Sequence, residues 1–198
     1  MQTGIAMMNQ KRTVDSHNAT LTPVSDTKPE TVKVDDAVRL REIRKLVEEN
    51  NSSELDTDVI ICQIYMESRF DKTAAATGSS ARGLMQLLRA PIRELSRLKN
   101  LKKPRAEQRS EADLYREADV LHDGQDLLDE ATNIRIGTSY LQALVDKRRA
   151  SHSVDPIAEA YKDYRGIRNG IYYAKIKSAA IKLKAKPESM QVLRDMVK

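Results

Sequence analysis

An all-α domain is the fold this sequence predicts, on three observations. Glycine and proline are sparse, seven and six in 198 residues, so little interrupts helix propagation. Apolar residues recur at three- and four-residue spacing along most of the chain after Asp36, the period of one buried helix face. No alternating apolar-polar run is long enough to require a sheet, and no internal repeat is present. A chain of this length holds one ordinary domain plus a tail. Residues 1–35, polar and carrying Pro23 and Pro29, read as a flexible arm, and residues 36–198 as the domain.

The elements follow in order. Val38, Leu40, Ile43, Leu46 and Val47 share one helix face. Asp56 or Thr57 caps a second helix from Asp58 to about Phe70, which is apolar enough (Val59, Ile60, Ile61, Ile64, Tyr65) for a central position and carries Glu67 in its last turn. Asp71 to Ser80 is small and polar, a loop expected to cap what comes next. Gly83-Leu84-Met85-Gln86-Leu87-Leu88 is expected to begin a further helical stretch, with Pro91 opening a new helix or marking a kink. A short helix around Ala112 to Leu121 breaks at Asp123-Gly124, and a long one over Leu127 to Arg148 contains Gly137, which close packing against another backbone would explain. Pro156 starts a helix that Arg165-Gly166 ends; Ile171 to Leu183 forms another, and a last amphipathic piece follows Pro187.

Composition excludes several chemistries. The single cysteine, Cys62, sits in an apolar run and reads as a small buried residue. His17, His122 and His152 lie far apart, without Cys or Glu at ligand spacing, so no metal, cofactor or catalytic triad is expected. No apolar stretch is long enough to span a bilayer. Gly4 to Met8 is too short for a signal-peptide core, so the expectation is synthesis in the cytoplasm without a standard signal. The net charge of +5 suits an anionic partner without choosing one. Arg165 to Lys186 carries seven Lys or Arg and no acid; the apolar residues Ile171, Ile176, Ala180 and Leu183 keep a buried face there, which favours a solvated basic surface over nucleic-acid binding.

The most informative stretch is Glu67-Ser68-Arg69-Phe70-Asp71, followed after a small-residue loop by Ser79-Ser80-Ala81-Arg82-Gly83-Leu84-Met85-Gln86. It resembles the lytic transglycosylase and goose-type lysozyme family, in which a Glu-Ser pair ends one helix and Gly-Leu-Met-Gln follows. Asn133-Ile134-Arg135-Ile136-Gly137-Thr138-Ser139-Tyr140-Leu141 and Ala160-Tyr161 resemble two later blocks of that family. The Glu-to-Gln interval looks most like phage-associated members. Lys72, where many members have proline, and Lys162-Asp163-Tyr164, after Ala160-Tyr161, depart from the pattern.

The resemblance implies a lysozyme-like helical domain that cleaves peptidoglycan between N-acetylmuramic acid and N-acetylglucosamine. Glu67 is then the catalytic acid, with Ser68, Gly83, Leu84, Met85, Gln86, Tyr140 and Tyr161 as substrate-binding residues. The residues agree on physical grounds. Protonating a glycosidic oxygen needs a carboxylic acid held above the free value of about 4.3, and burial near a helix C-terminus does that. Gly83 would let the backbone approach a sugar, Leu84 and Met85 would dry one side of the acid, and Gln86 could bond the substrate. A hydrolase of the two-carboxylate type needs a second acid about 5 to 9.5 Å away, for which Asp71 and Asp163 are the candidates. A transglycosylase needs only Glu67 and the sugar's own acetamido group. The alternatives are a hydrolytic muramidase and an inactive peptidoglycan-binding module. With peptidoglycan outside the cytoplasm and no standard signal in view, the expectation is export by another route, as a secreted antibacterial effector with an immunity protein and a secretion-apparatus partner, or as a phage lysis protein.

Overall fold

The computed structural model describes residues 37–75, 78–168 and 170–198; the arm expected over residues 1–35 lies outside them. Among the described residues there are eight α-helices and no strand: α1 Val38–Asn50, α2 Thr57–Ser68, α3 Arg89–Leu101, α4 Glu111–Asp123, α5 Glu130–Ala150, α6 Pro156–Arg165, α7 Tyr172–Ala185 and α8 Met190–Met196. This is the all-α architecture expected. Helix α2 is apolar on nearly every side, with Ile60, Ile61, Cys62 and Ile64 inaccessible to solvent. It is the central element, flanked by α1 and α7. The long α5 packs against α1, α3 and α6, while α4 lies on α3 and α8 on α7.

The caps follow the sequence. Asp56 accepts from the Asp58 N–H, Ser110 from Asp113, Asp129 from Thr132 and Asp155 from Ala158, each satisfying an amide that the first helical turn leaves unpaired. Gly166 ends α6 in the left-handed region at φ 67°. Helix α3 runs unbroken through Pro91, which sits in its first turn where a missing N–H costs nothing. Burial lifts the Cys62 thiol to about 12, which leaves it protonated and inert at neutral pH.

Two expectations are corrected. Residues 83–88 are not helical. Arg82 and Leu87 exchange both backbone hydrogen bonds, 3.1 and 3.0 Å, and the Gln86 amide donates to the Gly83 carbonyl across the turn. Positive φ at Gly83 (77°) and Gln86 (47°) closes this loop, so helical geometry is unavailable, and helix starts only at Arg89. Leu84, Met85 and Leu87 are nevertheless buried, which is why a short apolar run cannot distinguish a buried loop from a buried helix. The small-residue segment before it correspondingly caps no helix; Ser79 Oγ accepts from the Ala81 amide within the loop. The second correction concerns Gly137. Its close neighbour is a side chain: a Cβ there would lie 2.4 Å from Met85 Sδ, so the glycine makes room on α5 for the loop's methionine.

Candidate active site

Glu67 stands in the last turn of α2, its side chain only 8 % exposed. The chain turns sharply just after it. Arg69 and Phe70 both adopt positive φ, 55° and 68°, an uncommon pair for non-glycine residues that the surroundings must enforce. They do so in three ways. The Arg69 amide and guanidinium both reach the Tyr65 carbonyl, and the guanidinium also reaches that of Met66. Phe70 packs edge-on against Tyr65 with ring centroids 5.0 Å apart, and Arg39 of α1 donates to the Phe70 carbonyl at 3.0 Å while pairing with Glu130 of α5. The end of α2 is thereby tied to two other helices.

The carboxyl of Glu67 has two partners. Tyr172 donates its hydroxyl to Oε1, and the Arg165 guanidinium lies 3.5 Å from the same oxygen. Oε2 accepts no hydrogen bond among the described residues. Burial pushes the Glu67 carboxyl above its ordinary value, and Tyr172 and Arg165 oppose that shift without cancelling it. Arg165 also rests on the Tyr172 ring, 4.7 Å from its centroid, so the two form one unit. The outcome is a carboxyl that keeps its proton to higher pH than a free one and carries its charge against a cation once the proton leaves.

The loop from Arg82 to Leu87 is held by Asn133 of α5, a residue 1 % exposed. Its Oδ1 accepts from the Met85 amide at 2.8 Å, and its Nδ2 donates to the carbonyls of Leu127 (2.9 Å) and Arg82 (3.3 Å). A Cβ on Gly83 would stand 2.2 Å from that Nδ2. Gly83 is therefore required by Asn133 as well as by its positive φ. His122 adds a second tie, its Nε2 2.8 Å from the Ser80 carbonyl, while Arg82 donates to the His122 carbonyl at 2.6 Å.

Several residues expected to bind substrate have other work. Ser68 donates to the Ile64 carbonyl at 3.1 Å within its own helix and is buried. Leu84 and Met85 have no accessible surface; they pack the loop to the core. The Gln86 carboxamide donates to the Ala74 and Gly83 carbonyls, both at 2.9 Å, and so shapes the loop. Tyr161 is 1 % exposed, and its hydroxyl donates to Gln63 Oε1 at 3.0 Å, one turn before Glu67 on α2. Tyr140 is half-buried beside Tyr164, centroids 5.8 Å apart, and lines a cavity between α3 and α5 with Glu94, Arg97 and Lys147. Tyr164 in turn donates to the Met85 carbonyl at 2.8 Å, joining α6 to the loop.

Neither candidate second carboxylate touches Glu67. Asp71 is exposed and accepts from the Thr73 amide and hydroxyl. Asp163 is gripped through both oxygens by Arg148 at 2.6 and 2.5 Å and paired with Arg168 at 3.0 Å, contacts led by Arg148 that hold its carboxyl below the ordinary value. Among the described residues no cluster of His, Cys, Asp or Glu could hold a metal ion, and no helix is long and apolar enough to cross a membrane.

A family model described as the transglycosylase SLT domain matches residues 46–167, from α1 through the Glu67 turn and its loop to the end of α6. The chain belongs to that family. Members of the SLT domain family are lytic transglycosylases acting on peptidoglycan, and the protein is an enzyme of that kind. Neither a curated protein nor a solved structure matches the chain. Tyr172 lies beyond the part that matches the SLT domain, and sequence reasoning missed it together with the role of Arg165. The available signal was composition: in a chain with no tryptophan and one phenylalanine, the pair Tyr172-Tyr173 after a glycine-bearing turn is a conspicuous aromatic deposit.

Proposed function

We propose that this SLT domain cleaves the β-1,4 bond between N-acetylmuramic acid and N-acetylglucosamine with Glu67 as its one catalytic carboxyl. The observation that carries the reading is the setting of that carboxyl: buried at a helix end, raised by desolvation, and bonded on Oε1 alone. The proton then resides on Oε2, facing no protein acceptor. Glu67 passes it to the glycosidic oxygen as the C1–O bond breaks, and the acetamido oxygen of the same muramic acid closes on C1. The resulting carboxylate, stabilised by Arg165 and the Tyr172 hydroxyl, takes the proton from the C6 hydroxyl; O6 displaces the acetamido oxygen from C1 and leaves a 1,6-anhydro end. The commitments of Asp71 and Asp163 to other partners favour this single-acid route over a two-carboxylate hydrolysis. Met85, Gln86 and Asn133 hold the loop from Arg82 to Leu87 in shape, and Ser68 and Tyr161 support the α2 end from within.

Digestion of purified peptidoglycan tests the reading. Wild type is expected to release muropeptides with anhydro ends and Glu67→Gln none; reducing ends would replace the transglycosylase by a muramidase, and no release by wild type would leave a wall-binding module. The Glu67-to-Gln86 interval and the Ser79-Ser80-Ala81-Arg82-Gly83 run further support a phage-associated or effector-type enzyme, exported by a non-standard route and, as an effector, neutralised by an immunity protein. Periplasm-directed expression should then lyse a host cell that tolerates cytoplasmic expression, and equal tolerance of both would overturn this.

A further inference from the structure

Beside Glu67 lies a cavity of about 460 Å³ between α6 and α7, within the size range of small-ligand sites. Arg165 and Tyr172 form part of its wall, so the two groups that hold the Glu67 carboxyl also face this space. Its other cations are Lys162 and Lys177, and its acid is Asp155. Asp155 is engaged in capping α6, and Lys162 is engaged by Glu159 at 2.5 Å. Lys177 is exposed and pairs with no carboxylate among the described residues. Arg165 rests on the Tyr172 ring and, as carboxylate partner, has the Glu67 oxygen at 3.5 Å, long enough to be shared. The remaining wall is apolar and aromatic. Ile171 and Ala174 are exposed into solvent, and Tyr173, stacked on Tyr161 at 4.6 Å with planes 17° apart, presents a rigid flat face.

Resting on the peptidoglycan reading above, we infer that this cavity receives the stem peptide of the muramic acid whose bond is cut, with Lys177 and Arg165 reading its carboxylates. The chemistry matches on three counts. A stem peptide carries several carboxylates, which two cations without a full partner attract. It carries alanine methyl groups, which the Ile171, Ala174 and Tyr173 surfaces accept. It branches from the lactyl group of the sugar being processed, so a peptide site must adjoin the catalytic acid, and sharing Arg165 and Tyr172 with Glu67 meets that requirement. A nucleic acid or a bare glycan strand matches less well, because the first needs an extended basic track and the second offers only the lactyl carboxylate at the sugar itself, with no alanine methyl groups for the apolar wall.

The test compares wild type, Lys177→Glu and, as a charge-matched control, Lys102→Glu, whose site at the end of α3 is exposed. Two substrates are used: peptide-bearing glycan strands, and the same strands stripped of peptide by an amidase. Lys177→Glu is expected to raise KM about 3- to 10-fold more on peptide-bearing than on stripped strands, the scale of one partly exposed ion pair, and Lys102→Glu to shift both alike. Binding of soluble muramyl tetrapeptide, followed by calorimetry, should weaken by the same factor in Lys177→Glu only. Equal effects of Lys177→Glu on the two substrates, or tetrapeptide binding indifferent to Lys177, would overturn the inference while cleavage by wild type still stood. Failure of wild type to cleave either substrate would instead strike the catalytic reading, and the calorimetry would then decide the peptide site by itself.

Discussion

Two walls of the molecule, the loop after α2 and the α6–α7 face beside Glu67, are built on opposite plans. The loop from Arg82 to Leu87 is closed off: Leu84 and Met85 have no accessible surface, Gly83 fits under Asn133, and the Gln86 amide group is spent on neighbouring carbonyls. The α6–α7 wall is open and charged, with Arg165 and Tyr172 reaching the carboxyl and exposed Lys177 beside them. The first wall fixes geometry through buried hydrogen bonds, the second sets electrostatics and meets solvent. Substitutions in the first should therefore lower stability and activity together, and those in the second should change pH dependence or substrate choice in a folded protein.

The largest effect expected lies at Glu67 itself. Glu67→Gln should lower the rate of muropeptide release by about 10²- to 10⁴-fold, the range of a lost general acid, with near-native circular dichroism; retention of more than a tenth of the rate would remove Glu67 from the chemistry. Next comes the closed wall. Asn133→Ala strands the buried Met85 amide and the Leu127 carbonyl, which should cost about 3 kcal/mol and appear as a thermal midpoint lowered by roughly 6 to 12 °C for a domain of this size. A midpoint unchanged within 2 °C, about the shift from half a kcal/mol, would mean the loop does not depend on this clamp. Gly137→Ala should cost less, about 1 to 2 kcal/mol, because Met85 must move off α5 while the helix gains propensity; a stabilised variant would show that Met85 repacks freely.

The smaller effects separate the open wall from the closed one by pH. Because burial raises the folded pKa of Glu67 above its unfolded value, its contribution to folding is fully present below the unfolded pKa and is lost as pH rises through the folded one. Glu67→Gln removes that loss, so its thermal midpoint relative to wild type should climb as pH rises from the ordinary carboxylate range; a difference that falls as pH rises contradicts a raised pKa. Arg165 lowers the Glu67 pKa, so Arg165→Ala should move the alkaline limb of the rate profile to higher pH, since the acid must be protonated to act. An unmoved limb with lowered turnover would make Arg165 a substrate contact alone.

How much was legible depended on whether the information was local. The caps at Asp56, the break at Asp123-Gly124 and the Pro156 start are one-residue signals with a one-residue cause, and the described helices obey them. The position of Glu67 in the last turn of α2 was equally readable, because an apolar run and a following polar loop bound it. Leu84 to Leu87 was misread because burial of an apolar run is common to helices and to loops pinned by side chains, and the pin, Asn133, is 48 residues away. Ser68 and Tyr161 were read as substrate contacts from a motif, yet their hydroxyls are directed to Ile64 and Gln63, an orientation no spacing encodes.

By itself, then, the sequence determined that the chain is helical, where the ends with a local cap or break lie, and that Glu67 sits in the last turn of a helix followed by a loop, since propensity, capping and periodicity act over a few residues. The tertiary structure alone decided which groups touch that carboxyl. Tyr172 and Arg165 come from beyond and at the edge of the recognisable motifs, 105 and 98 residues away, and only the packing of α7 on α2 and of α6 on α7 brings them to Oε1. Desolvation, which raises the acid's pKa, belongs to that packing and has no local signature.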